Sequence, residues 1–301
     1  MKQKIFVAGS SNTDMVIRSP RLPLPGETIL GGEFFMNPGG KGANQAVAAA
    51  RLGGEVIFCC KVGDDIFGRT AVGQFQEEGI DARFVIIDPG HPSGIALINV
   101  DAKGENSITV APGANDRLSP ADLDLALAEL DGDTSLALVQ LEIPLETVLH
   151  IARQLASLKK IVILNPAPAQ QLPSELYPLL DYITPNETEA EILTGMKVTG
   201  PDDAIRVASE LRTRGVKWVV ITLGSQGAVI SGPGLEEWIP ALPVKALDTT
   251  AAGDVFNGAF AVAIAEGMHQ LTAVKFACNA ATISVTRLGA QASAPYRHEC
   301  Q

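Results

Sequence analysis

Positive charge, histidine, paired cysteine and long apolar runs are all scarce in this 301-residue chain, and each shortage argues against a class of function. Lys and Arg number 23 against 34 Asp and Glu, a formal net charge of −11. That balance gives no electrostatic footprint for nucleic acid or for an anionic membrane surface. The four cysteines are Cys59, Cys60, Cys278 and Cys300; they form no C-x-x-C pair and two are adjacent. They read as reduced thiols of a cytoplasmic protein rather than a disulfide framework. His91, His150, His269 and His298 lack metal-ligand spacing, which argues against a zinc enzyme. No apolar run approaches the roughly 18 residues of a membrane span. Ile5-Phe6-Val7-Ala8-Gly9 is too short for a secretory signal and reads as a first strand. No G-x-G-x-x-G follows that strand, which sets aside a dinucleotide-binding oxidoreductase. Gly39-Gly40-Lys41-Gly42 lacks both the spacing and the Ser/Thr of a Walker loop.

What is present is a hydrophobic content of 46%, enough for a sizeable core. From about residue 119 onward, apolar runs of strand length alternate with helix-length amphipathic runs. The strands are expected at 136–141, 161–165, 181–184 and 217–223, and the helices at 119–129, 144–157, 187–194 and 202–214. That alternation implies an α/β fold with a mostly parallel sheet and helices on both faces. Residues 15–36 carry Pro20, Pro23, Pro25, Gly26, Gly31 and Gly32, so they read as short strands and turns outside the sheet. Residues 94–100 and 106–110 flank a Gly-containing turn and read as a hairpin that completes this β-flap. Two closing helices are expected at 253–266 and 270–286.

The chain is organised around Asp248-Thr249-Thr250-Ala251-Ala252-Gly253-Asp254, where two carboxylates bracket five small residues just before a buried apolar helix. Small residues admit a ligand close to the backbone, and the free amides and dipole of a helix N-terminus attract anions. The stretch can therefore cradle a phosphate with Asp254 beside it as a general base. The plainer alternative is that Asp254 only caps the helix. Other polar residues stand at or just beyond the ends of expected strands: Asn12 and Asp14, Glu142, Asn165, Asn186 and Glu189, then Thr222, Gly224, Ser225 and Gly227. Singly each is an ordinary loop residue; together they describe one rim of one sheet, where open α/β sheets bind ligands. Ser10–Asp14 itself reads as a polar turn after the first strand. Gly40 permits close approach of a polyhydroxyl ligand, with Lys41 and Asn44 able to hydrogen-bond it.

Gly39-Gly40-Lys41-Gly42-Ala43-Asn44-Gln45 and the 248–254 stretch resemble the two signatures of the ribokinase, or PfkB, family of carbohydrate kinases. Asn186-Glu187-Thr188-Glu189 resembles its Asn-x-x-Glu motif, and Thr222-Leu223-Gly224-Ser225-Gln226-Gly227 its nucleotide loop. Asn165-Pro166-Ala167-Pro168 and Val285-Thr286-Arg287 with Gly289-Ala290-Gln291 narrow the likeness to the ribose-phosphorylating branch. The resemblance implies a ribokinase-like three-layer sandwich, one domain over residues 1–301, with a discontinuous β-lid from about 15–36 and 94–110. It implies ATP-dependent phosphorylation of D-ribose at the 5-hydroxyl, or of another substrate such as 2-deoxyribose, fructose or a nucleoside. Asp254 would be the base and Ala251, Ala252 and Gly253 the anion hole. Asn12, Asp14, Gly40, Lys41, Asn44 and Glu142 would hold the sugar. Asn186, Thr222, Gly224, Ser225, Gly227, Gly253, Cys278 and Asn279 would meet ATP. Glu189 would position Mg2+ through water, while Asp248, Thr250, Ser284, Arg287, Gly289 and Ser293 would surround K+. The plainer alternative for Asp248 is an ion pair with Arg287 or a lysine. A homodimer through the lid is implied as well. Retention of both Asp254 and the Gly253 pocket argues against a sugar sensor that has lost catalysis.

Overall fold

The computed structural model describes residues 3–130 and 134–300. The chain runs β1 (Lys4–Ala8), β2 (Asn12–Arg18), β3 (Glu33–Gly39), α1 (Lys41–Arg51), β4 (Glu55–Gly63), α2 (Ile66–Glu77), β5 (Asp81–Asp88), β6 (Gly94–Val100) and β7 (Asn106–Ala111). It continues through α3 (Pro120–Ala128), β8 (Thr134–Val139), α4 (Leu145–Ser157), β9 (Ile161–Leu164), β10 (Tyr182–Ile183), α5 (Glu187–Thr194) and α6 (Pro201–Thr213). It ends with β11 (Trp218–Thr222), β12 (Ala228–Gly232), β13 (Leu235–Ile239), α7 (Ala252–Ala265) and α8 (Gln270–Ser284).

Along β1 every residue after Lys4 is apolar and buried, and successive side chains enter different cores. Ile5 and Val7 join Phe58, Phe75, Phe260 and Val274; Phe6 and Ala8 join Leu123, Ile151, Ala190 and Val207. A strand covered on both faces needs this unbroken apolar run. Helices α1, α2, α7 and α8 form one outer layer, and α3 to α6 the other. Between them lies a nine-stranded sheet in the order β13-β12-β11-β10-β9-β8-β1-β4-β5. Its pairings are parallel except at β12 and β13. From β1 the chain winds outward through β4 and β5, then returns to the other flank of β1 and lays down β8 to β11. The strand order therefore reverses between β1 and β8. The crevice outside their carboxyl ends is the place where an open α/β sheet takes a ligand.

Helices α1 and α7 pack unusually near each other because both are made of small residues. A Cβ on Gly258 would stand 2.7 Å from the Gln45 carbonyl oxygen and 2.8 Å from the Ala48 Cβ. This contact sets the N-terminal turns of α1 and α7 side by side above the crevice.

The second sheet has four strands in the order β3-β2-β6-β7. It corrects the expected boundaries of the flap. Asn12 and Asp14 lie within β2 rather than in a turn after β1, and β3 continues through Gly39. Turn propensity at Ser10–Asp14 is overruled because β2 pairs on both sides, Asn12 opposite Gly39 and Gly94. The small partners are required here. A Cβ on Gly39 would fall 2.3 Å from an Asp14 carboxylate oxygen, and one on Gly94 2.2 Å from the Asn12 side chain. The expected strand at 181–184 shortens to Tyr182–Ile183, and the last helix ends at Ser284.

Candidate active site

Helix α7 opens with Ala251 in the left-handed region at φ 58°, a conformation that costs a non-glycine residue about 1–3 kcal/mol. No heavy atom lies within 4 Å of where a Cβ on Gly253 would stand, so the first turn faces open space. Its amides have no intrahelical acceptor. Ala252 is the exception in direction, since its N–H donates to the Thr249 carbonyl at 3.3 Å. Asp254 sits one turn in and is 5% exposed. It is not the helix cap: that position belongs to Ala251, which makes no side-chain capping bond. Instead the Asp254 carboxylate accepts from Asn44 Nδ2 and Gln45 Nε2, both at 2.9 Å. The close seating of α1 on α7 provides both donors.

Behind Asp254 lies a chain of buried amides of which the sequence reading singled out only Asn165. Gln45 Nε2 also donates to Asn165 Oδ1 at 3.0 Å, and Gln45 Oε1 accepts from Gln140 Nε2 at 2.6 Å. Asn165 Nδ2 reaches the Thr184 carbonyl at 3.1 Å, and the Thr184 hydroxyl donates to Asn257 Oδ1 at 2.6 Å. Asn257 Nδ2 donates to the Gly253 carbonyl at 2.8 Å. Every strand end from β8 to β10 is thus tied to the first turn of α7. Two sequence signals were available: Gln45 follows Asn44 directly, and Asn257 lies one helical turn beyond Asp254.

A cavity of about 180 Å³ opens at this point, bordered by Lys41, Asn186, Glu189, Thr222, Gly253 and Asp254. Burial alone would lower the Lys41 ammonium, but Asp254, Glu142 and Glu189 outweigh it and hold Lys41 above its ordinary value. Burial pushes Glu189 up to about 7; the Asn186 N–H and Lys41 oppose the rise and Asp254 adds to it. Asn186 and Glu189 cap α5 reciprocally, with Asn186 N–H donating to Glu189 at 2.9 Å and Glu189 N–H to Asn186 Oδ1 at 2.8 Å. A capping box therefore holds Glu189 at the cavity edge.

On the lid side, burial pushes Asp14 up to about 6, with the charges of Glu142 and Asp254 adding to the rise. Glu142 accepts from the Ser10 hydroxyl at 2.5 Å and from the Lys41 amide at 3.0 Å. Asn12 Oδ1 accepts from Asn115 Nδ2 at 2.8 Å. Gly40 takes φ 88°, where a Cβ would meet the Asn12 amide nitrogen at 2.7 Å, so only glycine lets the chain turn into α1 here. Asn44 Oδ1 is buried without a hydrogen-bond partner, an acceptor left over for a ligand hydroxyl.

The remaining sequence-predicted residues lie farther out. Thr222 ends β11 beside Asn186. Gly224 and Ser225 form an exposed single-turn 3-10 helix, closed by Gly227 at φ 95°. Cys278, on α8, packs against the core, where burial pushes its thiol up to about 12. Asn279 donates to the Cys300 carbonyl at 3.3 Å. Neither residue lines the cavity. Asp248 accepts from the amides of Thr250 and Gly289, each at 2.9 Å. Arg287 pairs with Glu299, not with Asp248. The Ser284 and Ser293 hydroxyls donate to the Ala281 and Ala290 carbonyls at 2.8 Å. Among the described residues, no three His, Cys, Asp or Glu side chains cluster as a metal site would need.

A buried, oriented carboxylate beside an open helix N-terminus, at the switch point of a three-layer α/β sandwich, is the constellation of a phosphotransferase acting on a hydroxyl. The model of the pfkB family carbohydrate kinases matches residues 2–297, and the chain belongs to that family. It is 45% identical to the ribokinase of Haemophilus influenzae over 300 residues, 99% of this chain and 97% of that one. It is 40% identical to the deoxyribokinase of Salmonella typhimurium over 292 residues, 97% of this chain and 95% of that one. The structure of Arabidopsis thaliana ribokinase complexed with ribose and ATP superposes with a TM-score of 0.91 at 32% identity, covering 100% of this chain and 98% of that one.

Proposed function

We propose that this chain phosphorylates D-ribose at the 5-hydroxyl with ATP, giving ribose 5-phosphate and ADP. The observation that carries the reading is Asp254, a carboxylate 5% exposed, held by two amide donors and bordering the space in front of Gly253. Asp254 takes the proton of the sugar's primary hydroxyl as that oxygen attacks the terminal phosphorus of ATP. The amides at the start of α7 face the charge that develops on the transferring group, the largest expected catalytic contribution. Lys41 adds a positive charge on the same cavity. Asn12, Asp14, Gly40, Asn44 and Glu142 hold the sugar, and Asn186 with the 222–227 loop holds the nucleotide.

Two ions belong to this reading. Both Glu189 oxygens are engaged by Asn186, at 2.9 and 3.0 Å, so Glu189 suits Mg2+ reached through water. That ion would neutralise phosphate charge. Asp248, the carbonyls around it and the Ser284 and Ser293 hydroxyls would supply an all-oxygen donor set of the kind that suits K+, which would steady the loop leading into α7.

No helix among the described residues is long and apolar enough to cross a membrane; a cytoplasmic location fits the cysteine usage. The lid leaves Phe34, Met36, Leu97 and Ile108 exposed, which supports a homodimer formed lid to lid. The relative named deoxyribokinase keeps 2-deoxyribose open as a second substrate reading. A coupled ADP-release assay over ribose, 2-deoxyribose, fructose and adenosine decides between them. Ribose is expected to have the highest kcat/KM, because a missing hydroxyl leaves buried polar groups unpaired. Equal or better kcat/KM for any of the others overturns the assignment.

A further inference from the structure

We infer that Gln45 is a positioning residue for Asp254, and that Gln140 positions Gln45 in turn, so that a one-way relay of two buried amides fixes the base. The inference rests on the catalytic reading of Asp254 given above. Gln45 is fully buried, as is Gln140. The polarity of the chain is dictated by its end. An ionised carboxylate only accepts, so Gln45 must turn its NH2 toward Asp254, at 2.9 Å. The same NH2 has a second hydrogen, which goes to Asn165 Oδ1 at 3.0 Å. Gln45 Oε1 is then left as an acceptor, and only a donor satisfies it. Gln140 Nε2 supplies that donor at 2.6 Å, while Gln140 Oε1 is left buried with no partner.

That unpaired oxygen is informative. Buried acceptors are rarely left unsatisfied, and turning the Gln140 amide over would place two oxygens face to face with Gln45. The relay thus keeps its direction at the expense of one orphaned acceptor at its far end. Gly9 makes room for it, since a Cβ there would stand 2.0 Å from Gln140 Oε1. Asn44 holds the other Asp254 oxygen, but Asn44 also belongs to the sugar pocket. Gln45 lines neither the cavity nor the sugar rim. Its effect reaches the substrate only through the orientation of Asp254.

The test is steady-state kinetics on Gln45→Met, Gln140→Met and the double variant of the full chain, with thermal melting to confirm folding. The wild-type rate on ribose, measured in the same series, tests the proposed function separately from the relay. Misplacing a reacting group by about 1 Å costs up to about a hundredfold. Gln45→Met is therefore expected to lower kcat by about tenfold to a hundredfold, with KM for ribose and ATP within about threefold of wild type. Gln140→Met should show the same split at a smaller size. The double variant should be no slower than Gln45→Met alone, because residues in series do not add. Wild-type kcat in Gln45→Met, or a loss carried by KM, overturns the inference, as does full additivity in the double variant. Should Gln45→Met not fold, Gln140→Met decides alone: lower kcat at unchanged KM supports the relay, and wild-type kcat overturns it.

Discussion

The two sheets that meet at the site are built on different principles. At the carboxyl edge of the nine-stranded sheet, Asp254 is held by α1, Asn165 by Gln45 and Thr184, and Glu189 by its own helix cap. The four-stranded lid is nearly the reverse. It buries Asn12, Val16, Gly39, Gly94 and Ala96, and β7 is exposed at all six residues. Across its strands Met15, Leu97 and Met36 align on one face and Val16, Ile98 and Ile108 on the other. The face of Asn12, Val16 and Ala96 is buried, whereas the opposite face leaves Met36 and Leu97 exposed and is incomplete by itself. The rim is held within one chain, whereas the exposed face of the lid is what the proposed homodimer would cover.

The comparison breaks most visibly at Asp254. Replacing it with Asn keeps the volume but removes the proposed acceptor of the hydroxyl proton, and kcat should fall by about 10²–10⁴. Asn would also present an NH2 toward one of the two donors, Asn44 or Gln45, so some stability should be lost as well. Turnover by purified Asp254→Asn within a few-fold of wild type would remove the base from the rim and leave the buried carboxylate structural.

Monovalent-cation dependence probes the outer border of the rim. Asp248 holds the amides of Thr250 and Gly289 and is not neutralised by Arg287. Those hydrogen bonds outweigh burial and keep its carboxyl below the ordinary value. A K+ ion there would steady the turn that aims the α7 amides. Activation by K+ over Na+ is expected to be about tenfold, a modest part of the effect of the preorganised donors it serves. The measurement is turnover with and without potassium chloride at matched ionic strength, since salt by itself screens charge. Identical rates would leave Asp248 as a purely structural acceptor of two backbone bonds.

The lid should respond in KM rather than in kcat. Leu97→Glu places a charge on an exposed apolar face without touching the rim. If a second lid covers that face, the variant becomes monomeric by light scattering, and KM for ribose rises by about fivefold, roughly 1 kcal/mol. A variant that remains as associated as wild type, with unchanged KM, would make the lid self-sufficient and erase the contrast.

The layers and most elements were legible in the sequence because strands buried on both faces and helices of regular period leave strong patterns. The rim was legible too, since Asp254, Glu142, Asn186 and Thr222 each stand just past a strand or at the start of a helix. What escaped has two physical causes. Asn12 and Asp14 look like turn residues, and only pairing with β3 and β6 makes them strand, a long-range fact absent from local propensity. The amides of Gln45 and Gln140 are 95 residues apart. Their roles exist only because small residues let α1 settle onto α7, and nothing in a glutamine by itself announces burial. The Asn186–Glu189 pair shows the converse, since the capping pattern was readable but its second use at the cavity edge depends on where α5 starts.

The smallest expected effect is on stability, and it separates lid from rim by pH. Asp14 on the lid titrates near 6 and Glu189 on the rim near 7, both raised chiefly by burial. Between about pH 4 and those values, the folded chain keeps protons that the unfolded chain has already released. A state that binds more protons loses stability as protons are withdrawn. The contribution of these two carboxyls is thus most favourable below about pH 4 and falls as pH rises through 6 and then 7. At pH 8 both charges are buried at a cost that the fold sustains for function. Neutral replacements remove that cost, so Asp14→Asn and Glu189→Gln should melt higher than wild type at pH 8 and differ least from it at about pH 4. An increment on the order of 1 kcal/mol corresponds to about 2 °C for a domain of this size. The pH at which the gain levels off is the discriminating readout: near 6 for Asp14→Asn, near 7 for Glu189→Gln. Should a lid strand from a second chain bury Asp14 further, the pH at which the Asp14→Asn gain levels off would move up toward that of Glu189→Gln when protein concentration is raised, while the Glu189→Gln value stays in place. Melting curves for both variants at two protein concentrations across pH 4–8 measure this directly. Variants no more stable than wild type at pH 8 would mean that both carboxylates are stabilised in place by partners such as Lys41, and that the charge is no burden to the fold.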